Sequence, residues 1–347
     1  MAIVVLTIAI FVLAGLVLLL TLVAVLIRIV RHARNRRRER LARAPRRALL
    51  AFVAEGGQEG MEDLLAIPPA AWQAAEPTAV ALLEKVRGEA HQALAEVFAR
   101  RGVTTRALRQ LGHFDAAHRA RAAELLGNLR LTEAVAPLCR LLADGKPEVR
   151  LVAVRALGAI GHPEAAGLLL DALTRDVPVH MVADALARIG EAALPEVHGA
   201  LRRDEAVVRI TALEALGLIG SPGSVRAIVE LLDREADPDV RVAAFGALGR
   251  LGGRAAVPPL ITAVAPTNPP EVRVAAARAL GVVGAVAAAE TLAGLLSDPT
   301  YRVAHEAAGS LVLLGPKGQA HLRRSAEAGG AHAREALALA ELTGAEG

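Results

Sequence analysis

Few side chains in this sequence are suited to catalysis or metal binding, and they are scattered along the chain. The 347 residues include ten histidines and one cysteine. His305 and Glu306 are neighbours that could share a metal ion, but a two-iron centre built from His-Glu pairs needs several, and the sequence has one. His113 and His118 are five residues apart, which does not place them on one face of a helix. We therefore expect no metal site.

The common catalytic and nucleotide-binding motifs are missing from the sequence as well. It has no GxxxxGK[ST] phosphate loop, no GxGxxG motif opening a βαβ unit and no HExxH pair. Cys139 lies in the apolar stretch PLCRLL, which favours a buried thiol over a nucleophile. A lone cysteine also excludes an internal disulfide and suits a reducing compartment. The sequence thus predicts a protein that is not an enzyme and has no cofactor.

The composition predicts an all-α chain with its positive charge in one short segment. Apolar residues make up 54% of the chain and aromatic residues only 2%, and the abundant alanine and leucine are strong helix formers. Residues 28–47 hold ten arginines and one acid, whereas residues 48–347 hold 30 basic and 35 acidic side chains. The larger part is therefore mildly acidic, which argues against a nucleic-acid partner.

The first thirty residues predict a transmembrane helix. Residues 2–27 are a run of 26 residues without charge, in which Thr7 and Thr21 carry the only hydroxyl groups. A bilayer core needs about 20 such residues, and 26 helical residues extend about 39 Å. A cleaved signal peptide would need basic residues before the run and a shorter apolar core. We therefore expect an uncleaved anchor within residues 1–30.

Seven arginines lie directly after this run and predict the orientation of the helix in the membrane. They are Arg28, Arg31, Arg34, Arg36, Arg37, Arg38 and Arg40. Because positive residues beside a span stay in the cytoplasm, we expect a single-pass protein of the inner (plasma) membrane with its N-terminus outside. The arginines can also attract anionic lipid head groups, and the sequence leaves open whether they do more than set the topology. Without interleaved aromatic residues they do not suit nucleic acid.

Similar segments recur about every 31 residues through the rest of the chain. A glycine or its substitute marks each of them: Gly127, Gly158, Ala187, Gly217, Gly249, Gly281 and Val312. Small and aliphatic residues at i, i+3, i+4 and i+7 predict a helix in each segment, and a terminal glycine suits its C-cap. A shorter apolar stretch between segments predicts a second helix. Stacked helical hairpins of this kind form an α-solenoid.

Eight alanines of these segments suit close contact between neighbouring helices. They are Ala153, Ala156, Ala212, Ala215, Ala244, Ala247, Ala276 and Ala279. A methyl side chain leaves room for another helix, so we expect these positions to face the neighbouring repeats.

The segments resemble HEAT repeats, most of all the short bacterial subclass also found in phycobilisome lyases. The resemblance covers residues 116–344 and implies a right-handed α-α superhelix of the HEAT/ARM type with about seven repeats. It also implies a ladder of Asp and Arg side chains between adjacent turns. The pairs would be Asp144 with Arg150, Asp204 with Arg209, Asp237 with Arg241, and Asp298 with Arg302. The ladder should weaken at His180, and at Arg273, which has Asn268 in place of an acid.

The expected organisation has four parts. Residues 1–30 are the transmembrane helix, 31–47 a basic juxtamembrane segment, 48–115 irregular or degenerate helical repeats, and 116–344 the HEAT-type repeats. Within 48–115, Trp72 follows the irregular Pro68-Pro69 connection, and we expect it to be buried. The sequence does not determine the oligomeric state.

A variable strip on the second helices is the candidate binding surface. Its two rows contain Arg155, Asp184, Glu214, Gly246 and Arg278, and Ala159, Arg188, Leu218, Arg250 and Val282. Mixed charged and apolar residues suit a protein partner, although an ordinary solvated face would look the same. We expect a membrane-tethered scaffold for a membrane-associated protein. One alternative is a regulator that senses lipid charge. A phycobilin-lyase-like enzyme is a less favoured alternative, because the anchor and the scarcity of aromatic residues argue against it.

Overall fold

The computed structural model describes an all-helical chain in two compact units. It describes the backbone of residues 2–57 and 59–344, and the side chains of this range except 2–18, 24, 27, 30, 33–35 and 342–344. Every regular element in the described backbone is a helix, as the sequence predicts. The units are Met1–Arg106 and Ala107–Gly347.

The first unit is built on one long helix. Its helices are α1 (Ala2–Ala54), α2 (Met61–Ala66), α3 (Pro69–Lys85), α4 (Gly88–Arg100) and α5 (Val103–Gln110), which continues into the second unit. Ala42, Leu49 and Phe52 of α1 are buried, and α1 packs on α3. The C-terminal part of α1 therefore belongs to the core of this unit, together with Trp72, which is 3% exposed as expected.

The predicted membrane span lies largely outside the described side chains. Among the described residues, no helix is both long and apolar enough to cross a membrane. Within the span, side chains are described for residues 19–23 and 25–26. These side chains are exposed, and Leu22 is the most exposed of the large apolar ones at 67%.

The second unit is an array of helical hairpins with a period close to 31 residues. The second helices of the hairpins are α6 (Ala116–Asn128), α8 (Pro147–Ile160), α10 (Val179–Ile189), α12 (Ala206–Ile219), α14 (Pro238–Leu251), α16 (Pro270–Val282) and α18 (Tyr301–Leu313). The first helices are α7 (Val135–Leu141), α9 (Ala165–Asp171), α11 (Leu194–Ala200), α13 (Val225–Leu232), α15 (Val257–Ala263) and α17 (Ala289–Gly294). Helices α19 (Pro316–Glu327) and α20 (Ala331–Gly344) complete the unit. Each second helix packs on the next one, so these helices form a continuous layer.

Glycines end most of the second helices, as predicted. Gly161 and Gly220 are C-caps in the left-handed region, with φ of 74° and 76°. Glycine adopts this conformation without the steric cost of a Cβ atom. Gly190, Gly252, Gly284 and Gly315 also have positive φ after their helices. The chain can therefore turn sharply after each second helix and begin the next hairpin.

A different set of glycines lies inside the second helices, where neighbouring helices approach closely. A Cβ atom at Gly158 would lie 2.8 Å from Cα of Ala185 on the next second helix, and one at Gly127 would lie 2.6 Å from Cα of Ala156. Gly281 is close to Ser310 in the same way. At positions 127, 158 and 281 the recurring glycine of the sequence pattern is thus needed for helix contact rather than for capping. The eight alanines expected at this contact are all buried.

We expect Gly158→Ala to destabilise the protein, although alanine is normally the better helix former. The added methyl would overlap the backbone of α10, and overpacking of this kind typically costs about 1–3 kcal/mol. The free energy of unfolding, measured by urea denaturation with circular dichroism, tests this.

The matched control is Gly309→Ala. Gly309 lies inside α18, and a Cβ atom there meets nothing within 4 Å. This substitution should stabilise the protein by about 0.5–1 kcal/mol, the usual helix preference of alanine. Equal effects of the two substitutions would show that close helix contact does not require glycine at position 158.

Candidate partner-binding surface

Arginines near the start of the second helices hold neighbouring repeats together. Arg119 donates two hydrogen bonds to the Asp144 carboxylate, at 2.7 and 2.8 Å, and two more at 2.9 Å to the carbonyl oxygens of His113 and Phe114. Arg209 binds Glu235 at 2.8 Å and the carbonyl oxygens of the turn before its own helix. Each of these arginines therefore joins its own turn to the turn of the next repeat.

The predicted ladder exists, but its partners are shifted by one repeat. Asp144 pairs with Arg119 of the preceding repeat, while Arg150 donates to the Asp144 carbonyl oxygen at 2.9 Å. Arg209 pairs with Glu235, and the Asp204 side chain is not the acceptor in that pair. The expected pairings within each turn were wrong, because the arginine reaches along the stack to the next turn.

The same shift changes where the ladder is weak. Arg273 was expected to lack an acid, but it forms an ion pair with Asp298. Asn268 instead accepts a hydrogen bond from Arg241 at 3.0 Å, so the neutral contact is one repeat earlier. The carboxylate of Asp237 caps α14 by accepting from the backbone NH groups of residues 239 and 240.

The ladder side chains are largely buried, so they act as structural groups. The side chains of Arg209 and Glu235 are 14% and 8% exposed. The hydrogen bonds from Arg119 lower the pKa of Asp144 below its ordinary value, so this carboxylate remains ionised at neutral pH. At Arg150 the pattern is incomplete, because its buried Nε has no hydrogen-bond partner.

One row of exposed side chains crosses the layer of second helices. We call it the ridge: Arg188, Leu218, Arg250, Val282 and Leu313, one residue from each of α10, α12, α14, α16 and α18. Leu218, Val282 and Leu313 are 49%, 56% and 63% exposed, and both arginines are exposed. The first four belong to the predicted strip, and Leu313 extends it by one repeat. With helices about 8–10 Å apart, the ridge is about 40 Å long.

Arg250 lies against a glycine of the preceding repeat. Its guanidinium occupies the space that a Cβ atom at Gly217 would take. Gly246 lies one turn earlier on the same helix as Arg250. Even a Cβ atom at Gly246 would be 3.9 Å from Nη1 of Arg250, so this side of the guanidinium is not crowded. The glycine at position 217 therefore positions a cation between Leu218 and Val282.

The other predicted row, which begins at Arg155, is more mixed. Arg155, Asp184 and Arg278 are exposed, whereas Glu214 and Gly246 are half-buried. Ala159, in the same row as the first four ridge residues, is half-buried as well. Arg278 forms hydrogen bonds at 3.0 and 2.7 Å with Glu306 of the next repeat. Its charge is therefore already neutralised, so this row carries less net positive charge than the ridge.

The basic segment belongs to α1 in the first unit. The side chains of Arg28, Arg31, Arg36, Arg37, Arg38 and Arg40 are exposed. The side chain of Arg34 lies outside the described residues. Arg46, closer to the core, donates to Thr78 Oγ1 of α3 at 3.0 Å. The exposed arginines of α1 that the sequence singled out are thus available to an external anion.

The first unit also contains an open cleft of about 640 Å³ beside Trp72. Arg101 stacks on the indole, 4.3 Å from its centroid, and donates to the carbonyl oxygens of residues 64, 65 and 67 at the end of α2. Burial raises the pKa of Glu76 in the same cleft, although Arg106 and Arg101 oppose the shift. Arg101 thus satisfies the carbonyl groups at the end of α2 and also lines the cleft.

The thiol of Cys139 does not have the environment of a nucleophile. It is partly buried against the core of the second unit. Burial, and secondarily Glu164, raise the pKa of the thiol above its ordinary value. A nucleophilic cysteine needs a lowered pKa, so this environment favours the structural thiol that the sequence indicated.

Comparison with known families and structures identifies the repeats. The family model described as HEAT repeats matches residues 104–180, 179–244 and 225–312, which together are more than half of the chain. No curated protein matches the chain.

Solved structures of the karyopherin Kap121p share the fold. Those of Kap121p bound to Pho4p and bound to Nup53p are each 14% identical, with a TM-score of 0.54 over 77% of this chain. Kap121p bound to the SUMO protease Ulp1p gives the same identity and TM-score over 80% of this chain. The chain spans 35% of the length of Kap121p in each case. At this identity, the likeness concerns the fold alone.

We expect Arg209→Ala to be strongly destabilising. It would leave Glu235 buried without its ion partner, and breaking a buried pair typically costs about 3–5 kcal/mol. The free energy of unfolding from urea denaturation measures the loss.

Arg226→Ala is the matched control, since Arg226 pairs with Glu230 on the surface of α13 at 2.8 Å and is 89% exposed. Its removal should change stability little, because water replaces an exposed partner at small cost. If both variants unfold at the urea concentration of the parent chain, the ladder does not hold the repeats together.

Proposed function

The chain belongs to the HEAT repeat family, and we propose that it is a non-catalytic scaffold that binds a protein partner along the ridge. The observation that supports this most directly is the ridge itself. Three large aliphatic side chains in this row, on α12, α16 and α18, are each about half exposed or more. Exposed apolar residues that form a continuous row are characteristic of interaction surfaces, whereas scattered ones are common on any protein.

The charges of the ridge indicate the chemistry of the partner. Arg188 and Arg250 alternate with the aliphatic residues, so a complementary partner offers carboxylates spaced between apolar side chains. Arginine is well suited to such interfaces because its planar guanidinium binds carboxylates in a fixed geometry. Kap121p has been solved with Pho4p, Nup53p and Ulp1p, which supports protein binding as a use of this fold.

A membrane tether completes the proposal. The 26 uncharged residues 2–27 followed by seven arginines favour a single span with the repeats on the cytoplasmic face of the inner membrane. Confinement there would raise the effective concentration of the scaffold for a membrane-associated partner. The exposed arginines of α1 would lie at the head groups, where about 1 kcal/mol of attraction per cation is typical for anionic lipid.

A photocrosslinking experiment tests the ridge. A benzoylphenylalanine introduced at Leu218 should give one discrete adduct in cells. Val282→Glu combined with Leu313→Glu should abolish this adduct, because two new carboxylates would repel the acidic partner and remove its apolar contacts.

The control places the same change away from the ridge. Leu168 on α9 is 47% exposed, so Leu168→Glu matches the ridge substitutions in chemistry and exposure. The adduct should persist in this variant. An adduct that survives the ridge substitutions, or that is lost equally with Leu168→Glu, would overturn the proposed surface.

Deletion of residues 2–27 tests the tether separately. The full chain should sediment with membranes and resist alkaline extraction, whereas the deleted chain should be found in the soluble fraction. The deletion ends well before Ala42, Leu49 and Phe52, which are core residues.

The control for the deletion is replacement of the seven arginines between residues 28 and 40 by glutamine in the otherwise intact chain. This variant should remain in the membrane fraction, because the apolar run provides the anchor, although its orientation should become mixed. If the deleted chain still resists alkaline extraction, the anchor is not residues 2–27.

A further inference from the structure

Three potential metal ligands meet at the C-terminal end of the second unit. They are His305 on α18 and His332 and Glu335 on α20, and their ligand atoms all lie within 4.8 Å of one another. Nδ1 of His305 and Oε2 of Glu335 are 4.0 Å apart. From this geometry we infer that these three side chains bind one zinc ion.

The packing of two helices brings the ligands together. Ala333 and Ala336 of α20 and Ala308 of α18 are buried in one core cluster, and the two helices are in contact. Small side chains at this contact allow a close approach. His332 and Glu335 are three residues apart on α20, which places them on the same helix face. The site therefore rests on two packed helices and not on loops.

Glu306, the sequence neighbour of His305, is not part of this cluster. It accepts two hydrogen bonds from Arg278, and consecutive residues of a helix do not face the same way. The acid comes instead from α20, thirty residues along the chain, together with His332. The site is therefore not marked by an adjacent His-Glu pair in the sequence.

Tyr301 contacts both imidazoles. Its ring is stacked on His305 at 5.6 Å between centroids with an interplanar angle of 13°. It also contacts His332 edge-on at 4.8 Å. Both imidazoles therefore pack against one aromatic ring, while the side chains of His305 and Glu335 remain accessible to an entering ion.

The donor set and the distances fit zinc. Two imidazoles and one carboxylate are frequent zinc ligands, with bonds of about 2.0–2.2 Å and a fourth position for water. Tetrahedral ligands at that bond length are about 3.4 Å apart, so the present side chains need to close by about 1 Å. The side chains of His305 and Glu335 are 52% and 47% exposed and can rotate without disturbing the core.

Zinc bound here would hold α20 against α18. Because α20 supplies two of the ligands and α18 the third, any opening of α20 breaks the site. Zinc would then stabilise the closed position of α20 by linkage. This inference is independent of the ridge and of its partner.

The first test is titration of zinc chloride into the full chain, purified in detergent and freed of metal with EDTA, by isothermal calorimetry. We expect one zinc per chain. His305→Ala, His332→Ala and Glu335→Gln should each weaken binding at least about tenfold. His180→Ala should not change it, since His180 is exposed on α10 and lies outside the cluster.

The second test measures hydrogen exchange of the α20 amides. At a free zinc concentration one hundred times the dissociation constant, exchange of these amides should slow by about one hundredfold. The amides of α10 should exchange at an unchanged rate. The inference is overturned if the full chain binds no zinc, if His332→Ala with Glu335→Gln binds it as tightly, or if α20 gains no protection. Circular dichroism of each variant checks that the helices are retained.

Discussion

The second unit depends above all on how closely its second helices approach one another. Glycine or alanine occupies most of the contact positions, and a single methyl added at Gly127 or Gly158 would overlap the backbone of the next helix. This constraint explains the composition, since a chain with only 2% aromatic residues has few side chains large enough to separate the helices. It also fixes the spacing at which longer side chains can bridge one repeat to the next.

The arginine ladder is a consequence of that spacing. The side chains of Arg119, Arg209 and Arg273 reach acids 25 or 26 residues further along the chain, and they can do so because the intervening hairpin brings the next turn within hydrogen-bond distance. The paired carboxylates also accept backbone NH groups of their own turns, as Asp144 does from residue 146 at 2.9 Å. One acid thus shapes a turn and joins it to the preceding repeat. Burying an ion pair costs free energy, but leaving one buried charge without its partner costs more. A shifted stack would leave such charges unpaired, so the ladder favours a single register of the repeats.

The sequence predicted the periodic features of the fold well and the long-range pairings less well. The helices, the hairpin period and the terminal glycines follow from local patterns, because each is decided by residues a few positions apart. The ladder partners were assigned one repeat out of register, because an acid and an arginine four to six residues apart recur in most repeats and do not show which turn the arginine reaches. The cluster of His305, His332 and Glu335 was missed for a related reason. It depends on the contact of α18 with α20, and no local spacing encodes that contact. The recurring glycine was recognised, but its role in helix contact became visible only from its distance to the next helix.

The ridge and the framework beneath it use different positions of the same helices. In α12, Thr211, Ala212, Ala215 and Leu216 are buried, while Leu218 points outward. The residues that make the array are therefore separate from those that would meet a partner, and the outward position can change without loss of packing. Exposed aliphatic side chains at Leu218, Val282 and Leu313 do not contribute to the core, and exposing them to water carries a cost of hydration. A polar residue would fit the fold at these positions equally well. Their aliphatic character is therefore best explained by a surface that covers them, and the ridge supports the proposed protein partner more directly than the repeat family does.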